Sequence, residues 1–151
     1  MTHTYTTAVA WKGSTGAGYR AYSRIHAATA RPADATLTLS ADPHFRGDAS
    51  ALNPEQLVVI AASSCQLLSF LAVAALRGID VLGYVDDAQG FMDEEVSPTA
   101  LTRVVLRPVI TAAAGTDPEA VLDAVRAAHD ECYIANSLRC AVELIPTLVQ
   151  A

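Results

Sequence analysis

Twenty consecutive residues, Leu57 to Leu76, carry no charge, and this run constrains the fold more than any other. As a helix it would be about 30 Å long, enough to cross a bilayer. Ser63, Ser64, Gln66 and Ser69 are scattered among its alanines, and both flanks lead into strand-like segments, so a protein interior is expected rather than a membrane. Asn53-Pro54-Glu55-Gln56 is a strong helix start. Asn can accept from first-turn N–H groups, Pro suits the first helical position, Glu55 complements the dipole, and Gln56 can close a capping box. The helix should run to about Arg77, with Gly78 as terminator. A helix apolar on every face should be buried on every side, by sheet and by a second helix. Ala61, Ala62, Ser63, Ser64 and Ala72 would allow close approach.

The other segments would supply the cover. Thr4 to Lys12 and Tyr19 to Ala28 read as a β-hairpin joined by the glycine-rich Gly13 to Gly18, which lacks the helix and GK[ST] ending of a phosphate cradle. Thr36 to Ser40 is a third short strand, and Ala41 to Leu52 a loop. Asp80 to Ala88 and Leu101 to Ala112 read as strands around the acidic Asp93-Glu94-Glu95 loop. Asp117-Pro118-Glu119 opens a second helix that should reach about Cys132, and Ala141 to Val149 closes the chain as a strand. This order predicts an α+β fold with segregated layers in one domain, residues 1–151.

With 151 residues the chain can bury a core without a metal or disulfide staple. Charged residues are 17% and hydrophobic ones 52%, which excludes a disordered chain and suggests that much of the surface is covered. Ten Lys and Arg against 16 Asp and Glu give no electrostatic reason to bind nucleic acid. The N-terminus shows no signal-peptide pattern, so the cytoplasm is expected. Cys65, Cys132 and Cys140 are an odd number without a CxxC, fitting neither a secreted disulfide framework nor a four-cysteine zinc site. Each alone could be an inert core thiol.

Asn53-Pro54-Glu55-Gln56-Leu57, Ala61-Ala62-Ser63-Ser64-Cys65 and Ala128-His129-Asp130-Glu131-Cys132-Tyr133-Ile134-Ala135-Asn136-Ser137 resemble the OsmC/Ohr family of thiol-dependent peroxidases over essentially the whole chain. The resemblance implies antiparallel sheets packed on a long central buried helix in a two-fold intertwined homodimer. It implies that Cys65 attacks a hydroperoxide, and the apolar side chains from Leu57 to Leu76 should favour organic, including fatty-acid-type, hydroperoxides over hydrogen peroxide. Cys132 would resolve the sulfenic acid to a disulfide, and an external dithiol, such as a lipoyl protein, would reduce it. No metal or other cofactor is implied. Tyr133 stands where better-known members have Pro, and Gln66 where an aromatic or His is common, which points to the OsmC-like branch.

A buried thiolate needs a stabilising cation, and the resemblance supplies an arginine paired with Glu55. Arg24 is the first candidate, on the second strand; Arg46 in the loop before Asn53 and Arg20 on the strand face of Arg24 are the others. Glu55 lies ten residues before Cys65, about 15 Å along one helix, so it would serve Cys65 of a second copy packed antiparallel. Cys132, at a helix C-terminus, would face the negative end of the dipole and stay protonated. Cys140 is expected to pack, and His26 and His44 to be ordinary polar groups. Two rival readings are a zinc site from Cys65, His129 and Cys132, and a non-catalytic binding or stress protein of the same fold.

Overall fold

In the computed structural model, which describes residues 1–151, helix α1 (Pro54–Leu76) begins with the expected capping box. Asn53 Oδ1 accepts from the Gln56 N–H at 2.8 Å, and Gln56 Oε1 accepts from the Asn53 N–H at 3.0 Å. Two donors that no helical carbonyl can reach are thereby satisfied. At the other end Gly78 takes φ +69°, the left-handed turn that glycine makes without steric cost.

The internal contacts group the chain into two units, Met1–Leu57 and Val58–Ala151. In the first, β1 (Ala8–Ala10), β2 (His26–Thr29) and β3 (Thr36–Leu39) form an antiparallel sheet, with Ala8 opposite Thr29 and His26 opposite Leu39. The expected hairpin exists, but its strands are shorter. Residues 11–25 form the connection, so Arg20 and Arg24 are loop residues and do not share a strand face. Side chains replace the ladder there: the Trp11 indole N–H donates to Ser23 O at 2.8 Å, and Arg24 donates to the carbonyls of Tyr22 and Tyr19. After a 3-10 turn at Pro43–Phe45, Gly47 lies so close to Ala41 that a Cβ would fall 1.6 Å from its carbonyl oxygen. Only glycine fits this loop, which returns the chain to Leu52, whose carbonyl accepts from the Ser40 N–H.

In the second unit, β4 (Val81–Asp86), β7 (Pro108–Ala112) and β9 (Thr147–Gln150) make one sheet. A second is made by β5 (Gln89–Asp93), β6 (Ala100–Leu106) and β8 (Ala141–Leu144). Each is mixed: β4·β7 and β5·β6 are antiparallel, whereas β6·β8 and β7·β9 are parallel. This corrects the expectation of antiparallel sheets alone. Parallel neighbours need a long crossover, which α2 (Pro118–Asp130) and α3 (Tyr133–Ser137) provide.

Strand β5 was not expected, and two anticipated strands are each divided. Residues 101–112 break at Arg107, whose N–H leaves the ladder for Asp86 Oδ1 at 2.6 Å, and Pro108 has no N–H to give. Residues 141–149 break after Ile145, whose N–H still bonds to Leu106 O at 2.9 Å, because Pro146 has no N–H to give. Each half then joins a different sheet. The second helix also stops early, at Asp130, leaving Cys132 at the start of α3.

Along α1 only Ala62, Gln66, Phe70 and Ala74 are buried. Their four-residue spacing makes one stripe. Phe70 and Ala74 pack with Ile110, Ala112, Val121, Ala124, Val125 and Ala128; Ala62 packs with Val104 and Leu106. The helix is therefore not buried on every side. Ile60, Leu68 and Leu71 on the opposite face are 50%, 64% and 40% exposed. Replacing the capping residue, Asn53→Ala, is expected to cost about 1 kcal/mol, read as a lower midpoint in urea denaturation with unchanged slope.

Candidate active site

Where α2 ends, the chain turns and presents Cys132 to α1. The Cys132 N–H donates to His129 O at 3.1 Å, while its carbonyl accepts from the Asn136 N–H at 3.0 Å and from Asn136 Nδ2 at 3.1 Å. Cys132 is fully buried. The Tyr133 and Ile134 N–H groups that open α3 reach the half-buried Cys65 of α1.

The two thiols are driven in opposite directions. Burial alone would raise Cys65, but hydrogen bonds from the Ile134 N–H, the Cys132 thiol, the Tyr133 N–H and the Ser69 hydroxyl outweigh it, and the net direction is down. For Cys132 burial again comes first and raises it. The Ala135 N–H opposes that, but the Cys65 sulfur adds to the rise, both as hydrogen-bond acceptor and as charge, and the net direction is up. Cys65 is therefore the better thiolate and Cys132 the held proton. The expected arrangement of Cys132 at a helix C-terminus is corrected: it precedes a helix, and burial and the neighbouring sulfur keep it protonated. No arginine is among the groups that lower Cys65.

Tyr84, Ser69 and Asp86 were missed in the sequence, although Tyr84 and Asp86 stand two apart and so on one strand face. The Tyr84 hydroxyl is buried without a hydrogen-bond partner and is raised by burial, then by the charges of Asp86 and Cys132. Asp86 accepts from the Ser63 hydroxyl at 2.5 Å and the Arg107 N–H at 2.6 Å. Ser63, Tyr84 and Asp86 line, with Val59, Ile60 and Leu67, a cavity of about 350 Å³.

The zinc reading fails on geometry. Both ring nitrogens of His129 are engaged, by Gln66 Oε1 and by Val142 O, each at 3.0 Å. No three His, Cys, Asp or Glu side chains gather as a metal site. Cys140 packs beside Ala62, Val104 and Leu106, as expected.

In the first unit the Arg24 guanidinium is fixed by the carbonyls of Tyr22 and Tyr19 at 2.9 and 2.8 Å and lies 4.1 and 4.8 Å from their ring centres. Arg46 approaches the Tyr19 ring at 5.9 Å, so these two candidates share one aromatic group, while Arg20 is exposed in the turn. Arg24 also lines a cavity of about 430 Å³ with Trp11, Tyr22, His26 and Ser40. Glu55 is the second residue of α1, and half-buried.

Residues 47–146 match the family described as OsmC-like protein. Among solved structures, an OsmC-like protein of unknown function from Vibrio cholerae is 28% identical with a TM-score of 0.84, covering 98% of this chain and 100% of that one. An organic hydroperoxide resistance protein OsmC from Legionella pneumophila is 20% identical, with a TM-score of 0.71 and coverage of 97% and 98%. The organic hydroperoxide resistance protein OhrB of Bacillus subtilis is also 20% identical, with a TM-score of 0.62 and the same coverage. None of the curated proteins matches.

Alkylation of Cys65, followed by peptide mapping against pH, should rise and level off at lower pH than for an ordinary thiol, because the thiolate is the reacting form. Ser69→Ala removes one donor to that thiolate and should move the profile to higher pH.

Proposed function

The chain belongs to the OsmC-like protein family, and from that premise we propose that it is a thiol-dependent peroxidase for organic hydroperoxides. The observation that carries the reading is the opposed poise of two adjoining thiols, Cys65 lowered and Cys132 raised. The Cys65 thiolate attacks the O–O bond of ROOH, giving Cys65 sulfenic acid and an alkoxide that takes a proton to leave as ROH. The Cys132 thiol then condenses with the sulfenic acid, forming a disulfide and releasing water. An external dithiol, a lipoyl group being the first candidate, returns both thiols by exchange and leaves as its own disulfide. A reducing cytoplasm suits this cycle.

Apolar surroundings support an organic substrate, including fatty-acid-type hydroperoxides. Val59, Ile60 and Leu67 line the cavity that reaches Ser64, next to Cys65, and can take up an alkyl chain. Glu55 and an arginine, first Arg24, complete the site in this reading. They come from a second copy of the chain, because Glu55 lies about 15 Å along the helix from Cys65. The exposed face of α1, with Ile60, Ser64, Leu68 and Leu71, is the surface on which that copy packs, antiparallel about a two-fold axis.

With a dithiol reductant in excess, kcat/KM for cumene hydroperoxide should exceed that for hydrogen peroxide by about tenfold or more. Cys65→Ser should abolish turnover, while Cys132→Ser should stop after one equivalent with a sulfenic acid on Cys65. Equal or greater efficiency with hydrogen peroxide would contradict the substrate assignment. Glu55→Gln and Arg24→Met should each lower kcat/KM about 100-fold. Leu68→Glu should convert a dimer to a monomer in sedimentation and lose activity with it; an active monomer would contradict the shared site.

A further inference from the structure

Gln66 is fully buried, stands next to Cys65, and is used by none of the steps above. Its Nε2 donates to Val125 O at 3.2 Å, and its Oε1 faces His129 Nδ1 at 3.0 Å; on the far side of the ring, His129 Nε2 faces Val142 O at 3.0 Å. Both ends of this chain are backbone carbonyls, which only accept. His129 Nε2 must therefore donate to Val142. Gln66 thus joins Val125 on one side to the His129 ring on the other. Arg126 and Asp130 share with His129 the cavity beside β8, and Glu143, which follows Val142, pairs with Arg103 at 3.8 Å.

This clamp ties three elements at the place where the thiols meet. On α1 it holds the residue after Cys65. On α2 it holds His129, whose carbonyl accepts the Cys132 N–H, and on β8 it holds Val142. We propose that His129 and Gln66 are positioning residues for the resolving step: the imidazole, held at both ring nitrogens, pins the α2–α3 turn so that Cys132 stays against Cys65. The proposal rests on the disulfide reading above. Directional hydrogen bonds fix a register that apolar contact alone leaves looser, so the clamp raises the effective concentration of one thiol at the other.

The test is thiol–disulfide equilibrium in glutathione, which needs no peroxide. Protein dithiol and oxidised glutathione exchange to a Cys65–Cys132 bond and two reduced glutathione thiols, each taking one proton. The protein carries Cys140→Ser to leave two thiols. Because His129→Ala alone strands buried polar groups and can fail to fold, Gln66→Leu/His129→Leu, which replaces both partners with apolar groups, is measured beside it. The folded double variant should show an equilibrium constant at least about tenfold lower. An unchanged constant in a folded double variant overturns the proposal while the disulfide stands. A parent protein that forms no Cys65–Cys132 link in oxidised glutathione overturns the disulfide reading and the proposal with it.

Discussion

The grip on α1 along a single stripe is what the second unit depends on. Ala62, Gln66, Phe70 and Ala74 recur every four residues, so the line they draw drifts slowly around the helix and leaves Cys65 and Ser69 just beside it. Phe70 supplies the largest apolar contact, in the cluster with Ile110 and Val121; Gln66 supplies the only buried polar one. Because the stripe is anchored against α2, the thiol next to Gln66 is brought to the turn that follows α2. The position of Cys65 is thus a consequence of packing.

That placement produces an asymmetry from two chemically identical groups. Cys65 is only half-buried and meets the Tyr133 and Ile134 N–H groups of a short helix together with the Ser69 hydroxyl. Cys132 is completely enclosed and lies beside a sulfur that takes up negative charge. One fold therefore drives two thiols in opposite directions, and His129 beside them has both ring nitrogens committed to hydrogen bonds.

Local features were the most legible in the sequence. The Asn53–Gln56 capping box and the Gly78 stop act over three or four residues, and both hold. The α+β class followed from element order. What failed was decided at a distance: Arg107 leaves its ladder because Asp86, on another strand, takes its N–H. Proline signals at Pro108 and Pro146 were present and marked both strand breaks. The one-sided burial of α1 could not be read from a segment apolar all round, and the end of α2 two residues before Cys132 reverses the dipole argument made for that thiol. The pairing of Cys65 with Cys132 came from family resemblance, since 67 positions of sequence carry no local signal of proximity. The donors Ser69, Tyr133 and Ile134 had no signature at all.

The most direct measurement is the free-thiol count and intact mass of the fully reduced protein before and after one equivalent of an organic hydroperoxide, with peptide mapping of the product. The account predicts loss of two thiols, a mass lower by two hydrogens, and a Cys65–Cys132 link with Cys140 unchanged. Three thiols still free after the peroxide, or a link through Cys140, would contradict it.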